Sequence, residues 1–489
     1  MLFNSHVFIF VFLPIVWLGY FLLQRIQHRL AIIFLCCSSL VFYGYWDLRY
    51  LPLLLAACFA NFGIAMLLWH NGDRGTSNRL TLAFGVAANI ALLAFFKYAN
   101  FLVDNFNATT NAGILRPDII LPLGLSFFVF QKIAFLVDVS RGVVKDRSFL
   151  RYVLFVAFFP QLIAGPIVHH SEVMPQFTSS RLKVSSDLSI GITYFCIGLF
   201  KKVVIADNLA LIAAPMFSAA ASGSSAGFAD TWIAALAYAL QIYFDFSGYS
   251  DMAIGLGRMF GIALPVNFAS PYKATSLIDF WRRWHITLSR FLRDYLYVPL
   301  GGNRASPTRR YFNVLLTMAI GGFWHGASWN FLLWGALHGA LIVANGLWRN
   351  LLPGMRIPSV AGWFLTFMAV LFCWVPFRSA DLAASVTIWS SMVGIGSSNA
   401  LCESACTIAT GQLGFVIACL AACVCLPASH QLMRNASTTI SSRGYPASEP
   451  NPSRLQWRAT KTWAFYAALL FTISLMSLSN VSEFIYFQF

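Results

Sequence analysis

The stretch LPLLLAACFANFGIAMLLW, from Leu51 to Trp69, runs for 19 residues without one acidic or basic side chain. That length matches the ~20 apolar residues needed to cross a hydrocarbon core of ~30 Å. Val7–Gln24, Leu30–Trp46 and Leu80–Phe96 read the same way. Over the whole chain of 489 residues, 58% are hydrophobic and only 10% charged, where a soluble domain carries about a quarter charged. A soluble globule is excluded, and the pattern predicts an all-α polytopic membrane protein. At ~20 residues per span the apolar runs make about 11 transmembrane helices. With no internal repeat and no separate soluble domain, residues 1–489 read as a single integral membrane domain.

Lys plus Arg exceed Asp plus Glu by 33 to 18. In so apolar a chain the surplus is a topological signal, not a nucleic-acid footprint. Arg25 and Arg29, Arg74 and Arg79, and Arg141, Lys145, Arg147 and Arg151 fall in odd-numbered loops, which the positive-inside rule places in the cytoplasm. The loop at 428–461, with Arg434, Arg443, Arg454, Arg458 and Lys461 against Glu449 alone, joins them, and Trp463–Leu478 makes a last span. Both termini are then expected outside. The N-terminus lacks a basic n-region and an A-x-A site, so the first segment is expected to be retained as a helix. The ten cysteines sit among apolar neighbours and read as small core residues.

Two segments depart from simple spans. Phe159 to Pro166, FPQLIAGP, puts two prolines and a glycine in an apolar run. It predicts a broken or re-entrant helix whose freed backbone is buried in protein or lines a polar cavity. From Thr275 the chain reads TSLIDFWRRWHITLSRFLRDYLYVPLGGNR. At 100° per residue, Leu277, Trp281, Trp284, Leu288, Phe291, Leu292 and Tyr295 share one face. Residues 272–310 are therefore expected to form an amphipathic segment lying at the cytoplasmic interface among membrane lipids. Its eight basic and two acidic residues between Lys273 and Arg310 suit anionic lipid or an anionic substrate, such as a phosphorylated carrier or coenzyme A. His285 lies at the edge of the apolar face, where it either packs or assists a site.

His325 stands inside LLTMAIGGFWHGASWNFLL, Leu315 to Leu333, an uncharged run with Gly321, Gly322 and Gly326 around it. An ionisable residue at such depth is a functional-site candidate by default. A neutral buried imidazole can act as a general base, although hydrogen bonding between helices is the plainer alternative. On one continuous helix His338 would lie roughly 220° and ~20 Å from His325, so the two share a site only if the chain turns between them. His169 and His170 read as loop residues. Asp245 and Asp251 follow an apolar helix and need partners; they either bind substrate, orient a histidine or bond between helices, with Gly248 expected to break the helix. No HExxH or clustered Cys/His spacing calls for a metal.

Together the runs DFSGYSDMAIGLGRMFGI from Asp245, DFWRRWHITLSRFLRDYLYVPLGGNR from Asp279, GGFWHGASWNFLLWGALHG from Gly321 and FPQLIAGPI from Phe159 resemble the membrane-bound O-acyltransferase family. The resemblance is closest to the bacterial branch that O-acetylates exopolysaccharide such as alginate; teichoic-acid D-alanyl transferases are more distant. It implies a funnel of helices around a thin central layer in the bacterial inner membrane, with His325 as the catalytic histidine. His285 matches the second motif position, often Asn or His in the family. Candidate substrate-binding residues from these motifs are Asp245, Asp251, Trp281, Arg282, Ser289, Trp324 and Asn330. The resemblance further implies acetyl-CoA as acyl donor, an exported polysaccharide as final acceptor and a periplasmic acetyltransferase or acyl-accepting protein as partner. A transporter or flippase of a lipid-linked or acyl-bearing substrate is the competing class, since broken helices and intramembrane carboxylates also suit one.

Overall fold

The computed structural model describes residues 1–72, 75–178, 184–355, 357–395, 408–434 and 455–478. The middle of the predicted 428–461 loop and the C-terminus lie outside the described residues. Among those described, six helical runs are long and apolar enough to span a membrane: Phe8–Ile26, Leu48–Asn71, Gly75–Thr110, Ser185–Ala221, Trp329–Leu351 and Ser359–Arg378. Four shorter apolar helices accompany them: His28–Gly44, Leu382–Met392, Thr410–Cys425 and Lys461–Met476. Leu125–Ser140, Phe228–Met259 and Pro307–His325 complete the main set. Many of their side chains face protein, not lipid, so polar residues are tolerated along them.

Phe228–Met259 is one unbroken helix of 32 residues, so Gly248 does not interrupt it. The glycine instead permits close approach. A Cβ on Gly248 would lie 2.7 Å from the Gly198 carbonyl oxygen, and one on Gly191 would lie 2.6 Å from that of Gly255. Two such crossings pull the Val184–Phe200 helix against the middle of Phe228–Met259. Tight contact of small residues is how helices associate where lipid offers no hydrophobic drive. Lys201 and Lys202, in the widened turn Lys201–Ala206 that follows, then reach across to Asp251 at 2.7 Å and Asp245 at 2.8 Å.

The broken segment takes the expected form. Phe159–Leu162 is a four-residue helix, and every residue from Phe158 to Val168 is buried. Further along, the chain turns sharply between Pro307–His325 and Trp329–Leu351, and the two helices pack as a hairpin. Gly322 and Gly335 face one another there; a Cβ on Gly322 would lie 2.9 Å from the Gly335 Cα. A groove of about 750 Å³ lined by Leu13, Trp17, Ile192, Trp457 and Phe471 opens elsewhere, and none of its lining residues is a candidate site residue.

Candidate active site

Residues 275–304 are not one surface helix. Ser276 caps Leu277–Arg283, its Oγ accepting from the Asp279 amide at 3.2 Å. Ile286–Leu292 follows as a second short helix. Between them Trp284 is extended and His285 is left-handed, with φ 42° and ψ 53°. A non-glycine residue there costs ~1–2 kcal/mol, so something must hold it. Asn267 does. Its carbonyl accepts from the Ile286 amide at 2.9 Å; its Oδ1 accepts from the Thr287 amide at 3.3 Å, Thr287 Oγ1 at 2.9 Å and His285 Nδ1 at 3.1 Å. The corner is driven inward: Trp284 and His285 are 1% and 0% exposed. The interfacial position expected for His285 is therefore replaced by a buried one. Several of the arginines are also drawn into protein: Arg290 pairs with Glu172, and Arg283 with Asp279 at 3.0 Å.

His325 is the last residue of its helix and is 5% exposed. Its ring centroid lies 6.4 Å from that of His285, 5.0 Å from Trp324, 5.2 Å from Trp334 and 5.3 Å from Phe377. Because His285 Nδ1 donates to Asn267, its Nε2 carries the lone pair in the neutral ring. That nitrogen is buried and has no hydrogen-bond partner. The hairpin also brings in His338, whose ring lies 4.9 Å from Trp334 on the way to the site; Trp281 Nε1 donates to its Nδ1 at 3.3 Å.

The sequence candidates divide accordingly. Trp324 stacks on Phe130 at 4.9 Å beside His325, and Trp281 reaches the chamber through His338 and Trp334. Asn330 is buried nearby in sequence, donating to the Ser379 carbonyl at 2.8 Å. Asp245 and Asp251 are engaged in the lysine pairs described above, and Ser429 Oγ also donates to Asp251 at 2.7 Å. Arg282 is exposed, and Ser289 Oγ turns back to the Trp284 carbonyl at 3.3 Å. Asn267, Trp334 and Phe377 were not among the candidates: Asn267 and Phe377 belong to other stretches that only the fold brings in, and Trp334, although in the His325 run, reads as one more apolar residue of a span. His169 and His170 are not plain loop residues either. His169 caps the His170–Val173 turn, and Asp138 Oδ2 receives both His169 Nε2 and the Tyr295 hydroxyl at 2.6 Å.

The structure thus places two buried histidines, His285 and His325, side by side in an aromatic chamber of a polytopic helical protein. The model of the MBOAT, membrane-bound O-acyltransferase family, matches residues 23–380, and the chain belongs to that family. It is an O-acyltransferase. The chain is 43% identical to the peptidoglycan O-acetyltransferase of Helicobacter pylori over 426 residues, covering 81% of this chain and 80% of the relative. It is 38% identical to the probable alginate O-acetylase AlgI of Pseudomonas putida over the full length of both. A teichoic acid D-alanyltransferase of Streptococcus thermophilus is 26% identical across 52% of this chain and 68% of its own.

Proposed function

We propose that this protein transfers acetyl groups from cytosolic acetyl-CoA toward an exported polysaccharide, with His325 as general base and His285 as its assistant. The observation that carries the reading is the buried His285–His325 pair, one member presenting an unengaged Nε2. An acceptor hydroxyl entering between the rings first donates to the His285 Nε2 and then turns its single proton to His325. As its oxygen attacks the thioester carbonyl, His325 takes the proton; the C–S bond then breaks and the thiolate recovers a proton from the imidazolium. The two relatives named as O-acetylating enzymes support acetyl as the group. Their polymers differ, so both a peptidoglycan and an alginate-like acceptor belong in the test. Family membership favours acyl transfer over a transporter, whose broken helix and buried carboxylates this fold also has.

In the proposed orientation the donor enters from the cytoplasm and a periplasmic acyltransferase completes delivery to the polymer. Vesicles containing the full chain and given [14C]acetyl-CoA on the cytoplasmic face are expected to release CoA thiol and pass label to an acceptor on the other face. Label moved with its CoA still attached would overturn the enzyme reading. The orientation is checked separately. Lys145→Cys and Asn303→Cys should resist an impermeant maleimide added outside, whereas Leu115→Cys, 89% exposed, should react. The opposite pattern would invert the topology, since Lys145 and its neighbours would break the positive-inside rule.

A further inference from the structure

Lys97 directly follows the uncharged stretch Leu80–Phe96 within the Gly75–Thr110 helical run, and a basic side chain turned into protein there needs partners. Its partners are unusual: Nζ donates to the backbone carbonyls of Trp324 at 2.6 Å and His325 at 2.8 Å. The next residue, Tyr98, donates its hydroxyl to the Phe323 carbonyl at 2.8 Å and stacks on the Phe323 ring at 4.5 Å. Both come from one widened turn, Ala94–Tyr98. Widened turns inside helices often occur at functional sites.

The three carbonyls are consecutive and close the Pro307–His325 helix. A helix leaves its last four carbonyls without intrahelical donors, and many helices satisfy them with a left-handed cap. This one does not: Gly326 departs extended, with φ −158° and ψ 149°. Lys97 and Tyr98 supply the missing donors from another helix, and a cation at a helix C-terminus also meets the negative end of the dipole. His325 is therefore tethered at its own carbonyl, next to the Cα that carries the ring. We infer that Lys97, with Tyr98, is a positioning residue for acyl transfer, which sets His325 by capping the carbonyls of residues 323–325. This rests on His325 being the base.

The test uses the full chain in nanodiscs with [14C]acetyl-CoA, reading kcat and donor KM separately. Loosening a catalytic group by about 1 Å can cost ~10²-fold. Lys97→Met is expected to lower kcat by about 10–10²-fold with donor KM within about twofold. Lys97→Gln, uncharged but able to donate two hydrogen bonds, should recover most of that loss, and Tyr98→Phe should lose several-fold. An unchanged kcat in Lys97→Met, a loss confined to KM, or a Gln variant as inactive as Met would each overturn the proposal. If Lys97→Met does not fold, Tyr98→Phe decides, because an unchanged kcat there overturns it and a fall at constant KM supports it. His325→Gln runs alongside. Activity in that variant removes the base assignment itself, whereas an inactive His325→Gln beside a fully active Lys97→Met removes the positioning role alone.

Discussion

His325→Gln is expected to lower the rate of acetyl transfer by about 10²–10⁴-fold, the span that a positioned general base contributes. Glutamine retains a polar group of similar reach and hydrogen-bonding capacity but cannot take a proton. Solvent cannot replace the base easily, because Trp324, Trp334, Phe377 and the His285 ring surround the position. The variant should still fold, since the carbonyl of residue 325 that Lys97 grips is backbone and survives the change. Size-exclusion profiles and thermal stability measured beside the rate separate the two effects. A covalent acyl-histidine would give the same loss, so wild-type protein mixed with [14C]acetyl-CoA and rapidly denatured at neutral pH should carry no acid-labile acyl label if His325 acts as a base. Retention of most activity in His325→Gln would make this histidine structural.

The parts of this architecture that were legible in the sequence are those set by solvent. Leu51–Trp69 and its uncharged neighbours must leave water, and they do so as long helices. His325 was legible for the converse reason: an ionisable side chain in an apolar run must have a purpose or a partner. The segment from Thr275 misled because periodicity records which residues are apolar, not how one backbone residue is turned. Two short helices, each burying its own apolar face, leave almost the same pattern as one amphipathic helix. The left-handed residue between them is held by Asn267, 18 positions earlier, which no local pattern reports. Gly248 misled in the same way, because a glycine that breaks a helix and one that admits a neighbouring backbone look identical in a single sequence. Asp245 and Asp251 were correctly read as needing partners, but Lys201 and Lys202 could be paired with them only by the helix crossing.

The second large effect is expected at His285, and its geometry ranks the variants. The backbone there is left-handed, a conformation in which Asn and His are enriched among non-glycine residues and which leucine adopts only with strain. The ring donates from Nδ1 to Asn267 and keeps an acceptor at Nε2. An asparagine amide offers the same pattern, Nδ2 toward Asn267 and Oδ1 toward the chamber, while tolerating the backbone. His285→Asn is therefore expected to fold and to keep activity within about tenfold of wild type, the shorter side chain weakening its hold on the acceptor hydroxyl. His285→Leu fills much of the space but offers neither donor nor acceptor. It removes one of the three donors to Asn267 Oδ1, a hydrogen bond worth about 0.5–1.5 kcal/mol, at a left-handed position that leucine tolerates less well than histidine or asparagine. Its kcat should fall about 10²-fold, the low end of what loss of proton-handling groups costs, with a lower melting temperature than the Asn variant. Rates and melting curves of the two proteins check the order. Equal activity in His285→Leu and His285→Asn would mean that the buried ring only packs against Phe246 and Phe268, leaving His325 to act without its neighbour.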